Sequence, residues 1–176
     1  GYIGTELCKI YSGHSWNDKI TVIDNRFISE RVNQIRNWNM DFVQGDILDK
    51  ELIKKHCSDA DIIHHLAGIT DVPRVKSQSN EDHDKKIIEV AQEGTQNILD
   101  VMKDDCKIVM PSTHVVYEGL ETVKNDILEN EETAPILSYG KSKDYNEKQL
   151  KESGKNYIIL RLGSVYGYST DTARID

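Results

Sequence analysis

A chain of 176 residues, 38% apolar and 30% charged, has the size of one ordinary domain with a substantial core. No apolar run approaches the roughly 18 residues of a membrane helix, and a net charge of −8 argues against a nucleic-acid partner, which needs clustered Lys and Arg. The three cysteines, Cys8, Cys57 and Cys106, are isolated, which argues against a disulfide framework or a zinc site and points to buried thiols in a reducing cytoplasm.

In chain order, Gly1-Tyr2-Ile3-Gly4-Thr5 opens a helix predicted to run to Tyr11. The spacing matches the second half of a dinucleotide fingerprint. In that motif glycines let backbone approach a pyrophosphate, and the helix N-terminus faces its charge. Taken alone, the same residues are also a plain glycine-rich helix start. The strand and first glycine that normally precede them are not in the sequence. The expected unit, 1–176, is therefore a partial domain without its central strand. A polar turn spans 12–18. Lys19 to Asp24 is a short β-branched strand ending in an acid. Asp24 falls about twenty residues beyond the fingerprint, where a carboxylate accepts hydrogen bonds from an adenosine ribose. Asp24 and Asn25 are the expected ribose side of the site. A carboxylate there repels a 2′-phosphate and favours NAD over NADP. Arg26 is the residue that would accommodate the phosphate instead.

A helix is predicted over 29–38, a strand over 40–44 followed by Gly45-Asp46-Ile47, and a helix over 50–56. Asp61 to Leu66 is a strand running into Ala67 and Gly68. Alternation places His64 and His65 on opposite faces. No acidic or cysteine partner has ligand spacing, so no metal is expected. Residues 69–80 read as loop or irregular helix. The most regular helix covers 85–102, with Ile87, Ala91, Ile98 and Met102 at helical spacing. Lys107 to Pro111 is a strand, followed by Ser112-Thr113-His114-Val115-Val116-Tyr117. Residues 118–137 show no periodicity and hold Glu129, Glu131 and Glu132; they are either a substrate-side loop or a solvated charge run.

The next helix, to Ser153, carries Tyr139 and Lys143 four residues apart and hence on one face. A phenol is a poor base at neutral pH. A neighbouring ammonium favours the phenolate, and such a pair can exchange a proton with a substrate hydroxyl. A strand over 156–161 and the segment Leu162 to Gly167 close the pattern. Strands alternating with helices predict one parallel sheet of all five strands with helices on both faces.

This succession of Gly-x-x-Gly, strand-terminal Asp24, His65-Leu66-Ala67-Gly68, Ser112-Thr113 and Tyr139/Lys143 resembles the extended short-chain dehydrogenase/reductase family. These are the NAD-dependent sugar-nucleotide epimerases and dehydratases, and the resemblance covers nearly the whole chain. It implies an α/β, Rossmann-type doubly wound parallel sheet, here lacking its first strand and the C-terminal substrate-binding part. It implies NAD held by Gly1, Tyr2, Ile3, Gly4, Asp24 and Asn25. Asp46 and Ile47 would border the adenine, and Leu66, Ala67 and Gly68 would run beside the cofactor. Thr113, Tyr139 and Lys143 would be catalytic, with Tyr139 and Lys143 also at the nicotinamide ribose. Gly94-Thr95-Gln96-Asn97 matches within its helix, whereas Ala91 stands where the family usually carries an Asn near the cofactor.

Family members that dehydrate or decarboxylate carry acids directly after the Thr, and this chain has His114 and Val115. The resemblance therefore implies an NAD-dependent nucleotide-sugar epimerase, acting at C4 through a transient keto sugar. It also implies a homodimer built on the helices near 82–102 and 139–153. The alternatives are a reductase or dehydrogenase of another carbonyl substrate, and a non-catalytic Rossmann protein that binds dinucleotide. Neither a nucleic-acid nor a membrane partner is expected.

Overall fold

The computed structural model describes residues 1–14, 18–70, 80–122 and 125–167. Its strands are β1 (Thr21–Asp24), β2 (Asp41–Gln44), β3 (Ile62–His64), β4 (Lys107–Thr113) and β5 (Asn156–Leu162). They alternate with α1 (Tyr2–Ser12), α2 (Ser29–Asn37), α3 (Lys50–Cys57), α4 (Glu81–Val101) and α5 (Ser138–Glu152). A 3-10 turn, His114–Tyr117, follows β4 directly. The expected turn at 12–18 and loop at 69–80 lie partly outside the described residues.

Each strand pair is parallel. Asp24 is in register with Gln44, His64 with Val109, and Thr113 with Leu162. The expectation of one sheet is corrected, however: the strands form two, β1-β2 and β3-β4-β5. Among the described residues β1 and β3 share no ladder. β3 is also shorter than predicted. Leu66 N turns back to His64 O at 3.0 Å, which takes the chain out of the sheet just before Ala67 and Gly68.

Helices cover two areas of the sheets, while Ile62 of β3 and Ile158 and Leu160 of β5, on the far face of β3-β4-β5, stay exposed. On one, Ile53 and Cys57 of α3, Ile98 and Leu99 of α4 and Leu150 of α5 pack with Ile63, Ile108 and Met110 of the strands. On the other, Cys8 of α1, Ile35 of α2 and Met40 form a smaller cluster with Val22 and Phe42 packed against it. Burying these side chains stabilises the layers by about 1.5–3 kcal/mol each. The amphipathic pattern of α4 does what the sequence requires: Ile87, Ile98 and Leu99 are buried. Asn80 caps this helix by accepting from Asp82 N and His83 N, and Glu81, Asp82 and Asp84 sit in its positive first turn. Gly94 lets α4 approach the turn after β2, since a Cβ there would stand 2.7 Å from Ile47 Cγ2. Asn97 Nδ2 then donates to Ile47 O at 3.0 Å.

Candidate dinucleotide and catalytic site

The C-terminal ends of the parallel strands gather most of the residues singled out by the sequence. The Gly1 nitrogen lies 3.7 Å from Asp24 Oδ2. The other oxygen of Asp24 accepts from Arg26 N at 2.9 Å, which fixes the carboxylate at the end of β1. Asn25 Nδ2 donates to Asp46 Oδ2 at 3.3 Å, and Asp46 Oδ1 accepts from Leu48 N at 3.0 Å. The exposed Asp46 therefore stands beside Asn25. Ile47 is half-buried against Gly94 and the core, so its larger role is in packing.

At the start of α1, a Cβ on Gly1 would meet nothing within 4 Å, and one on Gly4 would stand 3.4 Å from Leu66 Cδ1. The glycine turn thus lies against the end of β3 on one side and opens on the other. The first amides of a helix have no partner within the helix, and beside a fixed carboxylate they form the donor set a dinucleotide needs. Tyr2 and Ile3 form its first turn and are half-buried.

Lys143 reaches the same edge from α5. Its Nζ lies 3.8 Å from where a Cβ on Gly68 would stand. Burial lowers its pKa to about 8. Beneath it, His65 is 4% exposed, and burial, followed by the Lys143 charge, lowers the His65 pKa to about 3. His65 Nε2 pairs with Thr95 Oγ1 at 2.9 Å. That oxygen accepts from Asn146 Nδ2 at 2.9 Å, and Asn146 Nδ2 also donates to Ala91 O at 2.8 Å. A polar side chain from α5 therefore reaches the position of Ala91. His64 points the other way, as alternation required, with its Nε2 2.9 Å from the Tyr11 hydroxyl. Among the described residues no group of His, Cys, Asp and Glu could hold a metal ion.

Thr113 is the last residue of β4 and is buried. Its Oγ1 accepts from Val115 N at 3.2 Å, which starts the 3-10 turn and leaves the hydroxyl proton to donate elsewhere. Tyr139 lies in the first turn of α5 and is half-buried, with its carbonyl accepting from Ser142 Oγ at 2.7 Å. The two elements touch beside these residues: a Cβ on Gly140 would lie 3.2 Å from Val115 O.

Sequence reasoning missed Glu118. Its Oε1 accepts from Ile136 N and Leu137 N at 2.7 and 2.6 Å and so pins the chain where it enters α5. Nothing in local spacing shows a contact across eighteen residues. An open cleft of about 600 Å³ borders this turn, lined by His114, Tyr117, Glu118, Leu128 and Arg161 among others.

A family model described as the NAD dependent epimerase/dehydratase family matches residues 1–175. The chain belongs to that family. It is 29% identical over 121 residues to a UDP-N-acetyl-alpha-D-glucosaminuronate decarboxylase of Bacillus cytotoxicus, covering 66% of this chain and 35% of that protein. It is 31% identical over 137 residues to the UDP-glucose 4-epimerase of Azospirillum brasilense, covering 71% and 36%. Among solved structures, a UDP-glucose 4-epimerase from Brucella ovis in complex with NAD superposes with a TM-score of 0.72 at 27% identity, over 92% of this chain and 48% of that one. The chain thus spans less than half the length of these relatives. The shared fold is the Rossmann-type α/β architecture, and the shared cofactor of the family is NAD. No helix of the described residues is long and apolar enough to cross a membrane.

Proposed function

We propose that this chain is the NAD-binding part of a nucleotide-sugar epimerase that acts at C4 of the sugar. The observation that carries the proposal is the placement of Lys143. Its ammonium is withdrawn from water beside Gly68, one helical turn from Tyr139. Gly1, Tyr2, Ile3 and Gly4 would hold the pyrophosphate, and Asp24 and Asn25 the adenosine ribose, with Asp46 and Ile47 at the adenine. Leu66, Ala67 and Gly68 would flank the nicotinamide half. Bound NAD supplies a reversible hydride acceptor.

The chain's own residues move the proton and hold the sugar. Tyr139 takes the proton of the C4 hydroxyl while Lys143 keeps the phenol ionised and binds the nicotinamide ribose. Thr113 donates its hydroxyl proton to the same sugar oxygen and orients it. The resulting keto sugar turns over in the site, and Tyr139 returns the proton when the other face is reduced. With His114 and Val115 directly after Thr113, the chain lacks the acids that dehydrating and decarboxylating family members carry at those two positions. That contrast favours epimerisation over the chemistry named for the Bacillus relative. Oxidation of the sugar at C4 and its later reduction at the same carbon cancel, so such a cycle leaves no net NADH behind.

A second copy would pack on the face of α4 and α5, where Tyr145 is 41% exposed, and the free, buried thiols of Cys8, Cys57 and Cys106 suit a reducing cytoplasm. The test is turnover of a panel of UDP-sugars with product analysis, beside the Tyr139→Phe variant. We expect interconversion of a C4 pair without net NADH, lost in Tyr139→Phe at unchanged NAD affinity. Net NADH formation would instead identify a dehydrogenase, and turnover surviving in Tyr139→Phe would refute the proposal.

A further inference from the structure

The helix that carries Tyr139 and Lys143 has a third residue on the same stripe. Glu147 follows Lys143 by one turn and is 1% exposed. Its carboxylate is held from two strands and from its own helix. Oε1 accepts from Ser112 Oγ at the end of β4, at 2.6 Å, and from Arg161 Nε on β5, at 2.8 Å. Oε2 accepts from Arg161 Nη2 at 2.5 Å and from Lys151 Nζ at 3.2 Å. Burial works to raise the Glu147 pKa, but the hydrogen bonds from Arg161 and Ser112 outweigh it and leave the carboxyl more acidic than usual.

Arg161 continues the connection. Its Nη1 donates to the Tyr117 hydroxyl and to Glu129 O, and its guanidinium lies 5.0 Å from the Tyr117 ring centroid. One carboxylate therefore fastens α5 to Ser112, the residue before Thr113. Through Arg161 it also reaches the 3-10 turn that follows Thr113.

A buried ion pair is weak evidence of stabilisation, because an apolar pair of the same volume often does as well. What a bidentate Arg–carboxylate contact supplies is one fixed orientation. Helix α5 needs that. Its buried residues are Gly140, Ser142, Asp144, Asn146, Glu147 and Leu150, and only Leu150 offers a large apolar anchor. Polar contacts set the position of this helix along the strands.

We infer that Glu147, with Ser112 and Arg161, is a positioning residue that sets Tyr139 against Thr113. This rests on the roles proposed above for Tyr139 and Thr113. Removing the tie lets α5 slide or rotate on the sheet, and a misplacement of about 1 Å at reacting groups costs up to roughly a hundredfold in rate.

The test compares Ser112→Ala and Glu147→Gln with Lys148→Ala, an exposed residue of the same helix. Turnover is measured per NAD-loaded site, well below the unfolding midpoint, together with KM, NAD affinity and Tm. Ser112→Ala removes one bond and leaves the ion pair, so it keeps the test open if Glu147→Gln does not fold. We expect kcat to fall about tenfold or more in Ser112→Ala and further in Glu147→Gln, with KM and NAD affinity within about twofold and Lys148→Ala unchanged. A lower Tm with kcat per site kept within about twofold in both variants would make the cluster merely structural and overturn the inference. If Tyr139→Phe keeps full turnover, the proposed chemistry fails and this inference with it. If Tyr139→Phe is dead while Ser112→Ala and Glu147→Gln keep kcat, only the positioning role fails.

Discussion

Lys143 Nζ lies 3.8 Å from the point where a Cβ on Gly68 would stand. The middle of α5 and the end of β3 therefore meet at an amine and a bare backbone. Gly68 is exposed and does not need a left-handed φ, so alanine fits without strain. Gly68→Ala should change stability by less than about 0.5 kcal/mol. If the cofactor runs along this backbone, the added methyl occupies its path, and NAD affinity should fall about tenfold, or about 1.4 kcal/mol. Titration of NAD into the variant checks this. An unchanged Kd would place the nicotinamide half elsewhere.

The same lysine predicts a pH profile. With its pKa lowered to about 8 by burial, Lys143 loses its proton as pH rises through that value. If Lys143 serves Tyr139 as proposed, the phenol then loses the ammonium that favours its ionised form, and kcat should fall on the alkaline side of pH 8. Lys143→Arg keeps a charge at every accessible pH. Its residual activity should therefore lack that limb. The sign for stability is opposite. Between about 8 and the ordinary 10.5 the unfolded chain holds a proton that the folded one does not, so this group stabilises the fold as pH rises through that window. A rising Tm beside a falling kcat over the same interval is the expected pair of results.

Much of this site was legible in the sequence because its features are local. The Gly-x-x-Gly turn, the acid closing β1 and the i,i+4 pair on α5 each follow from short spacings, and the structure puts Gly1 by Asp24 and Lys143 by Gly68. The two-sheet arrangement was not foreseen. Alternation of strands and helices predicts parallel pairing but does not show which strands share a ladder, and β1 and β3 share none among the described residues. In the sequence Glu147 stands four residues before Lys151, a spacing that many surface ion pairs share. Its contacts with Ser112 and Arg161 span 35 and 14 residues, and no periodicity reveals a bond that depends on tertiary packing. Asn146 reaching Ala91 O was hidden for the same reason.

His65 should make the fold acid-sensitive. Its folded pKa is lowered from 6.5 to about 3, mainly by burial. Below pH 6.5 the unfolded chain takes up a proton that the folded chain refuses. Stability is therefore lost as pH falls through the window from about 6.5 to 3, by up to about 1.4 kcal/mol per unit. His65→Gln keeps a group able to pair with Thr95 and cannot titrate. Its unfolding free energy should drop less steeply between pH 6.5 and 5 than that of the parent, by denaturant titration at each pH. Parallel slopes would show that His65 is charged or exposed in the folded protein.

Asp24 should decide between the two nicotinamide dinucleotides. Its Oδ1 is held by Arg26 N, so the carboxylate is fixed at the end of β1, beside the glycine turn. A ribose bound there presents its hydroxyls to a carboxylate acceptor. A 2′-phosphate would bring two like charges together with little water between them, and a repulsion of about 1–3 kcal/mol corresponds to roughly 5–150-fold in affinity. NAD should bind more tightly than NADP by a factor in that range. Asp24→Asn removes the repulsion and keeps an acceptor oxygen for Arg26 N, so it should narrow the ratio mainly by improving NADP. Adding Arg26→Ala to that variant should weaken NADP again if Arg26, two residues beyond Asp24 in the chain, supplies the cation that accommodates the phosphate. Competition titrations of both dinucleotides against the parent and the two variants give the ratio directly. Preference for NADP in the parent would mean that Arg26, and not Asp24, faces the ribose.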